Sequence, residues 1–292
     1  MNLAGVHTAL VTPMNRDGSI DEKALRDLVD FQVAAGISGL VPVGTTGECP
    51  TLSHEEHHRV IDIVIDQANK RVPVIAGTGS NSTKEAIDLT KHAKASGADV
   101  SLQVAPYYNK PSQEGFYRHF MAVVEAVDLP IIVYNIQGRT GKNIENSTML
   151  KLAAHPRVIG VKEASGSIPQ VMDLVSEKPD SFDILSGDDN LTLPIIAVGG
   201  IGVVSVASNL IPGEMLELVQ AALAGEMDKA REIHYRFLSL FKAEFIDTNP
   251  IPIKYMCALK GMMEENYRLP LCSMDETLKK KVQETLRTLK LI

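Results

Sequence analysis

The chain has 292 residues, of which 45% are hydrophobic and 22% are charged, with a formal net charge of -7 and a pI near 5.6. The length suits one large α/β domain, or a barrel with a small extension. The acidic balance argues against a nucleic-acid partner but leaves room for a small anionic substrate. The three cysteines are far apart and form no CxxC pair. This predicts a reducing compartment and no cysteine-based metal site.

No pattern in the sequence favours secretion or a membrane partner. The N-terminal residues lack a basic segment followed by a long apolar core, so we expect a cytoplasmic protein. Residues 190–213 carry no charge, but prolines and glycines interrupt the stretch. A helix, a turn and a buried strand explain this stretch better than a membrane-spanning helix.

Apolar, β-branched runs recur at intervals of about 20–35 residues, which fits a βα unit repeated eight times. The runs are Val6 to Val11, Gly39 to Val43, Val72 to Ala76, Val100 to Ala105, Pro130 to Tyr134, Val158 to Lys162, Phe182 to Leu185 and Gly202 to Val206. They predict a protein of the α/β class with a (β/α)8 TIM barrel. A doubly wound open sheet is the alternative.

Helical patterns separate the runs and dominate the end of the chain. Four of them open with a serine followed three residues later by a glutamate, the signature of a capping box. The serines are Ser19, Ser53, Ser82 and Ser273, and Gly36, Gly97 and Gly199 stand where helices are expected to stop. We expect residues 1–224 to form the catalytic barrel and residues 225–292 a C-terminal helical extension packed on it.

The sixth run leads directly from apolar residues into Lys162. A strand this apolar is typical of a parallel sheet buried on both faces. A desolvated lysine loses its proton more readily, and its free amine can attack a carbonyl to form a Schiff base. The same pattern also fits a solvated lysine just beyond the strand end.

Chemistry in a (β/α)8 barrel lies at the carboxyl ends of the strands. Strand alternation sends Glu163 towards the helices if Lys162 points into the barrel. Tyr134, at the end of the preceding run, would then meet Lys162 above the core. A phenol beside an amine could carry protons for Schiff-base chemistry.

Other polar residues near the strand ends have more than one interpretation. The glycine-flanked pair Thr45 and Thr46 forms a turn whose backbone N–H groups suit an anion, or a plain βα turn. The Asp188–Asp189 pair favours a helix cap over a metal site. Three histidines spaced to share one helix face favour a solvated surface over a metal site, since no matching ligand cluster accompanies them.

Taken together, the chain resembles the dihydrodipicolinate synthase (4-hydroxy-tetrahydrodipicolinate synthase) family of pyruvate-dependent Schiff-base lyases over essentially its whole length. Six motifs carry the resemblance: Gly44 to Glu48, Pro106 to Asn109, Tyr134-Asn135, Arg139 to Gly141, Gly160 to Ala164, and Asn249 to Pro252. Each is short, but they occur in order on the expected strand ends, and this favours Lys162 as the nucleophile.

The resemblance implies a reaction and its site. Lys162 condenses with pyruvate, and the resulting enamine attacks L-aspartate 4-semialdehyde in the diaminopimelate route to L-lysine, with no metal and no cofactor. Tyr134, Thr46 and Tyr108 form a proton relay. Substrate contacts fall on Thr45, Thr46, Arg139, Gly187 and Val204. Because the residue matching Tyr108 reaches into a neighbouring subunit in this family, the resemblance implies a homo-oligomer, a tetramer built as a dimer of dimers.

The resemblance also implies inhibition by L-lysine at the dimer interface. The matching positions are Cys49, Pro50, His54, His57, Asn81, Glu85 and Tyr107. The first two depart from the serine-alanine found in some lysine-sensitive members. A second departure precedes Arg139, where the family's proline is lost and Gly138 is gained. We expect a less restricted loop there, with consequences for the aldehyde rather than for pyruvate.

Three other functions compete with this interpretation. N-acetylneuraminate lyase and keto-deoxy sugar-acid aldolases share the lysine and tyrosine, but generally vary the threonine pair and lack an equivalent of Arg139. A catalytically silent keto-acid sensor would not need the complete set of lysine, tyrosines and threonines. A phosphate-binding barrel enzyme is disfavoured because the ends of the seventh and eighth runs show no clear glycine-rich phosphate loop.

Overall fold

A computed structural model of the protein, which describes residues 3–292, contains one sheet of eight parallel strands in the order β2-β1-β8-β7-β6-β5-β4-β3. The strands are β1 (Gly5–Ala9), β2 (Gly39–Val41), β3 (Ile75–Gly77), β4 (Val100–Val104), β5 (Ile131–Asn135), β6 (Val158–Glu163), β7 (Asp183–Ser186) and β8 (Gly202–Ser205). A single bridge between Leu40 and Val74 joins β2 to β3. The predicted barrel is confirmed, and each predicted run overlaps a strand, although the bounds of the strands differ from those of the runs.

The helices alternate with the strands and then continue alone. They are α1 (Glu22–Ala35), α2 (His54–Ala68), α3 (Thr83–Ser96), α4 (Gln113–Ala126), α5 (Gln137–Thr140), α6 (Asn146–Ala153), α7 (Ile168–Glu177), α8 (Thr192–Ala197), α9 (Pro212–Leu223), α10 (Met227–Ala243), α11 (Ile251–Leu259) and α12 (Glu276–Thr288). Among residues 3–292, none of these helices is both long and apolar enough to cross a bilayer.

Two of the four predicted helix starts are correct. Ser53 and Glu56 form a complete capping box on α2, and Ser82 caps α3. The other two predictions are wrong, because an aspartate nearer each helix supplies the cap: Asp21 for α1 and Asp275 for α12. A carboxylate next to the first turn accepts backbone N–H groups and also complements the helix dipole, so it displaces the more distant serine.

Glycines end two helices as expected. Gly36 and Gly97 adopt the left-handed conformation after α1 and α3, where a side chain would be strained. After α8 the cap is Val198, and Gly199 follows it with φ of +114°. Gly199 therefore serves the turn beyond the helix rather than the cap.

Apolar side chains fill two layers. Inside the barrel, residues from most of the strands pack with Tyr134 at the upper end of the stack. Larger clusters lie between the strands and the surrounding helices. Because both faces of each strand are covered, the strands are rich in apolar residues, and polar residues within them such as His7, Ser101 and Gln103 are fully buried. The polar side chains at the carboxyl ends are therefore held on a rigid frame.

Helices α10, α11 and α12 lie outside the βα repeat. α10 packs against α8 and α9 and approaches the turn that follows β7, while α11 and α12 pack on each other. The connection into α11 passes above the carboxyl ends of the strands, because Asn249 and Lys254 contact residues that follow β2. The C-terminal helices therefore contribute directly to the face that carries the polar strand ends.

Candidate active site

The barrel places Lys162 beside Tyr134. The two residues are directly paired in the register of β5 and β6, so both side chains point into the barrel. The Lys162 Nζ atom lies 4.1 Å from the centre of the Tyr134 ring, and the two side chains are only 6% and 5% exposed. The neighbouring Glu163 faces the helices and accepts a hydrogen bond from the Ser165 N–H, as strand alternation predicts.

Burial prepares Lys162 for nucleophilic attack. Desolvation lowers the pKa of its ammonium group from 10.5 to about 8, while the nearby carboxylates of Asp188 and Asp189 partly oppose this shift. Burial also raises the pKa of the Tyr134 phenol, so this group stays protonated at neutral pH. The site therefore offers an amine that deprotonates readily beside a phenol that keeps its proton, which suits Schiff-base chemistry.

The two threonines of the turn after β2, Thr45 and Thr46, have different contacts. The side chain of Thr45 is near enough to Tyr134 to oppose slightly the rise in the pKa of its phenol, while the hydroxyl of Thr46 accepts a hydrogen bond of 3.1 Å from the side-chain amide of Asn249. Both threonines line the narrow cavity that contains Tyr134 and Lys162. The turn thus brings two hydroxyls to the reacting centre, and the one next to the phenol belongs to Thr45.

Arg139 lies above this cavity on the short helix α5. Its guanidinium donates a 3.1 Å hydrogen bond to the backbone carbonyl of Asn249 and acts electrostatically on Lys162, Tyr134 and Asp188. The helical turn ends at Gly141, which has φ of +77°. The loop is therefore ordered into a helical turn, although Gln137 stands where the family has a proline and Gly138 follows it.

Gly187 and Val204 complete the wall around Lys162. A Cβ atom at Gly187 would lie 3.2 Å from the Cε of Lys162 and 2.8 Å from the Cβ of Ala164. Only glycine allows β7 to approach the lysine this closely. Val204 is fully buried in the barrel layer that also holds Tyr134.

The two aspartates after β7 do not act as the predicted helix caps. The short turn at Asp189–Leu191 has no side-chain cap. Instead, one carboxylate oxygen of Asp189 accepts the backbone N–H groups of Val206 and Ala207, at 2.8 and 3.0 Å. It therefore ties the end of β7 to the residues after β8, while Asp188 remains free to act on Lys162 by charge.

A buried ion pair anchors the threonine turn from the C-terminal region. Lys254 of α11 donates to the carboxylate of Glu48, and both side chains are fully buried. The Glu48 backbone has φ of +58°, which is rare for a residue with a side chain. Glu48 and Asn249 belong to motifs that carry the family resemblance, but the sequence indicated neither their contacts nor Lys254, because the partners lie some 200 residues apart along the chain.

Tyr108 does not reach this cavity within its own chain. Its side chain is 90% exposed, and its backbone has φ of +71°. A bulky residue in the left-handed region is a strained feature that the surrounding structure must maintain. The strand-end position thus projects an aromatic side chain into solvent, away from its own Lys162.

A second cavity of about 160 Å³ lies beside the first. Six of the seven positions predicted for L-lysine line it: Cys49, Pro50, His54, His57, Glu85 and Tyr107. The seventh, Asn81, donates a hydrogen bond of 3.2 Å to the Tyr107 carbonyl. The carboxylate of Glu85 accepts a hydrogen bond from the Ser80 hydroxyl and pairs with the imidazole of His54. The cavity therefore contains a carboxylate.

The histidines of α2 do not form one solvated face. His57 is buried, its Nε2 lies 2.9 Å from the Gly77 carbonyl, and burial lowers its pKa to about 4. His58 stacks on His92 of α3 at 3.8 Å. Only His54 is largely exposed, so the expected solvated surface is wrong for His57. In residues 3–292, no three His, Cys, Asp or Glu side chains are grouped to hold a metal ion.

The fold and this site define a class of protein. A (β/α)8 barrel with a buried, readily deprotonated lysine, a protonated phenol beside it and hydroxyls at the same strand ends is the arrangement of a lyase that works through a Schiff base. The model of the Dihydrodipicolinate synthetase family matches residues 2–289, and the chain belongs to this family.

Proteins similar to this chain have consistent names. It is 54% identical to the 4-hydroxy-tetrahydrodipicolinate synthase of Syntrophus aciditrophicus, with 99% of both chains covered. It is also 54% identical to the synthase of Koribacter versatilis, with 94% of this chain and 92% of the other covered.

Solved structures of the same name have the same fold. The chloride-inhibited dihydrodipicolinate synthase from Acinetobacter baumannii, complexed with pyruvate, is 42% identical with a TM-score of 0.98, and both chains are fully covered. The enzyme of Cyanidioschyzon merolae, solved with lysine bound, is 39% identical with a TM-score of 0.96, and 99% of both chains is covered. A monomeric variant is 38% identical with a TM-score of 0.97, covering 99% of this chain and 97% of the other.

Proposed function

We propose that the protein is a 4-hydroxy-tetrahydrodipicolinate synthase, which condenses pyruvate with L-aspartate 4-semialdehyde. The observation that carries this proposal is the buried pair of Lys162 and Tyr134 at the end of two neighbouring barrel strands. Relatives about half identical over nearly the whole chain bear this name, and none of these relatives is named for the sugar-acid alternatives.

The first half of the reaction follows from the state of the amine. The neutral Lys162 amine attacks the ketone of pyruvate, and loss of water leaves a protonated imine. Loss of a C3 proton then gives the enamine, with the lysine nitrogen serving as the electron sink. Tyr134 is placed to pass protons to and from the departing oxygen. Because Thr45 lines the same cavity as Tyr134 and its side chain acts on the phenol, while the Thr46 hydroxyl is engaged by Asn249, we assign Thr45 to the relay, where the resemblance suggested Thr46.

The carboxylates of the two substrates need separate anchors. Thr46 and the backbone of the turn suit the carboxylate of pyruvate, with Gly187 and Val204 forming the wall behind it. The Arg139 guanidinium suits the carboxylate of the semialdehyde, because its fork of donors can bind both oxygens. Anchored in this way, the enamine carbon attacks the aldehyde carbon and forms the new carbon–carbon bond.

The exposed Tyr108 supports a homo-oligomer. We propose that it completes the relay in a neighbouring subunit's site, so that a tight dimer is the smallest active unit and two dimers form a tetramer. The cytoplasm is the compartment we assign, since the three free cysteines suit a reducing environment.

L-lysine is the effector we propose for the second cavity. Glu85 can pair with an ammonium group of lysine, and the cavity lies next to the threonine turn through Cys49, which lines both cavities. Activity should fall as L-lysine is raised into the millimolar range, and activity unchanged there would contradict this regulation.

The deciding experiment measures pyruvate-dependent consumption of L-aspartate 4-semialdehyde by the purified chain, with N-acetylmannosamine as a parallel aldehyde. We expect turnover of the semialdehyde alone. Reaction with N-acetylmannosamine instead would retain Lys162 but reject the substrate. If neither aldehyde reacts and borohydride traps no pyruvate on Lys162, the proposed function is wrong.

A further inference from the structure

Asn249 contacts both groups assigned to the substrate carboxylates. It lies in the connection into α11 and is only 5% exposed. Its side-chain Nδ2 donates to the Oγ1 of Thr46 at 3.1 Å, and its backbone carbonyl accepts from the guanidinium of Arg139, also at 3.1 Å. One residue of the C-terminal region thus holds Thr46 with its side chain and Arg139 with its main chain.

The direction of the first hydrogen bond matters for pyruvate. A threonine hydroxyl has one proton to donate and lone pairs that accept. Because the amide of Asn249 donates to Thr46, the hydroxyl must point its own proton elsewhere. Thr46 is 3% exposed and lines the cavity that contains Lys162, so the cavity is where that proton can serve a ligand. A carboxylate accepts such a proton, and hydrogen bonds to charged groups are the stronger ones.

We propose that Asn249 is a positioning residue for pyruvate, which fixes the hydroxyl of Thr46 as a donor to the substrate carboxylate. This inference rests on the proposed function, because it takes pyruvate as the ligand above Lys162. The main-chain contact to Arg139 places the second carboxylate anchor relative to the first, independently of the Asn249 side chain.

Replacing the amide by a carboxylate of the same shape reverses the hydrogen bond. In Asn249→Asp, the new carboxylate accepts the proton of Thr46, which can then no longer donate to pyruvate. We expect KM for pyruvate to rise about ten- to a hundredfold, with a smaller change in kcat, since the loss is one hydrogen bond to a charged group. Lowering the pH should reduce the difference in KM between the variant and the wild type, because the introduced carboxyl group can donate a hydrogen bond to Thr46 once it is protonated.

Two controls separate positioning from other effects. Asn69→Asp adds the same charge after α2, at the opposite end of the barrel, and should leave KM for pyruvate unchanged. A double-mutant cycle of Asn249→Ala with Thr46→Val tests the same contact without adding a charge. In the wild-type background, Asn249→Ala should raise KM for pyruvate about three- to tenfold. In the Thr46→Val background it should hardly change KM, because Asn249 then has no hydroxyl to orient.

Borohydride trapping of pyruvate distinguishes failure of this inference from failure of the proposed function. If the wild type traps pyruvate at Lys162 but Asn249→Asp has the wild-type KM, the amide does not direct Thr46 and the inference is wrong. Additive effects in the cycle would also overturn it, because they would show that Asn249 acts on pyruvate by another route. If Asn249→Asp fails to fold, the cycle alone decides. If the wild type traps no pyruvate, the proposed function itself fails.

Discussion

The pKa of a single buried amine controls the first step of the proposed reaction. Lys162 is shielded from water by the barrel layer below and by Tyr134 beside it, and its pKa falls to about 8. The carboxylate of Asp188 opposes this fall by stabilising the ammonium form. The pKa of Lys162 therefore depends on two opposing effects, desolvation and the charge of Asp188, and desolvation is the larger.

The rate of imine formation should consequently rise with pH and level off above about pH 8, as the ammonium loses its proton. Asp188→Asn removes the charge that favours the ammonium, so the midpoint of this profile should shift to lower pH. Initial rates of borohydride trapping with labelled pyruvate between about pH 6 and 10 measure both profiles. Asp228→Asn, at a nearly fully exposed side chain, is the matched control, and an unshifted midpoint in Asp188→Asn would contradict the assignment.

At the scale of elements, the connection from α11 to the threonine turn depends on the buried pair of Lys254 and Glu48. Charges that are fully buried need their partners, because either one alone keeps its desolvation cost without compensation. The ring of Tyr267 also lies 5.4 Å from the Lys254 ammonium. The pair therefore couples the C-terminal helices to the turn that carries Thr45 and Thr46.

Breaking this pair should destabilise the protein strongly. Lys254→Met or Glu48→Gln alone should each cost about 3–5 kcal/mol in the free energy of unfolding, whereas the double variant should cost clearly less than the sum. Urea unfolding of the three variants measures these values. Lys23→Met, which breaks an exposed pair with Asp27, should change stability by about 0.5 kcal/mol or less. Additive losses in the double variant would show that the two charges are not coupled.

The elements also show how far sequence reasoning extends. The eight strands could be predicted because both of their faces are covered, which leaves runs of mostly apolar, β-branched residues that end in polar residues. The meeting of Tyr134 and Lys162 follows from strand alternation once the two runs are predicted to be neighbouring strands of a barrel. The contacts of Asn249 with Thr46 and of Lys254 with Glu48 could not be predicted, because no local pattern indicates which residues meet after a separation of about 200 positions.

At the scale of the whole molecule, a buried acid connects α10 to the end of β7. Glu244 is fully buried beside Asp189, and neither of its carboxyl oxygens has a hydrogen-bond donor within residues 3–292. Burial raises the pKa of Glu244 well above its ordinary value, and the nearby Asp189 adds to the shift. The folded protein thus holds a proton here that the unfolded chain releases.

Stability should respond to pH accordingly. Because the folded pKa is raised, the stabilising effect of this proton is complete below the ordinary glutamate pKa and is lost as pH rises towards the folded pKa. In that window, stability should fall by up to about 1.4 kcal/mol per pH unit for the one proton. Glu244→Gln should remove this slope, while Glu177→Gln on the exposed face of α7 should retain it. Denaturant unfolding from about pH 5 to 8 measures the slopes, and equal slopes in wild type and Glu244→Gln would contradict the expectation.

Sharing of Tyr108 between subunits can be tested by mixing two inactive variants. Lys162→Ala keeps Tyr108, and Tyr108→Phe keeps Lys162. If the tyrosine acts in the partner's site, mixed dimers have one complete site out of two, and an equal mixture that reassembles at random should recover about a quarter of the wild-type rate above the residual activity. Activity assays after mixing and subunit exchange measure the recovery. No recovery, despite mixed dimers shown by mass spectrometry, would place Tyr108 in its own site or outside catalysis.

The single bridge between Leu40 and Val74 has a consequence for how the barrel opens. Neighbouring strands elsewhere share two or more registered pairs, whereas one bridge and the backbone hydrogen bonds from Leu40 to Pro73 and from Gly77 to Pro42 join β2 and β3. We therefore expect local opening of the barrel to begin at this junction. Amide protons at this junction should exchange with deuterium sooner than those of β5 and β6. The cavity that holds His54 of α2 and Glu85 of α3 spans the same junction from outside. A ligand that contacts both α2 and α3 in this cavity should slow deuterium exchange at the junction of β2 and β3 without contacting Lys162.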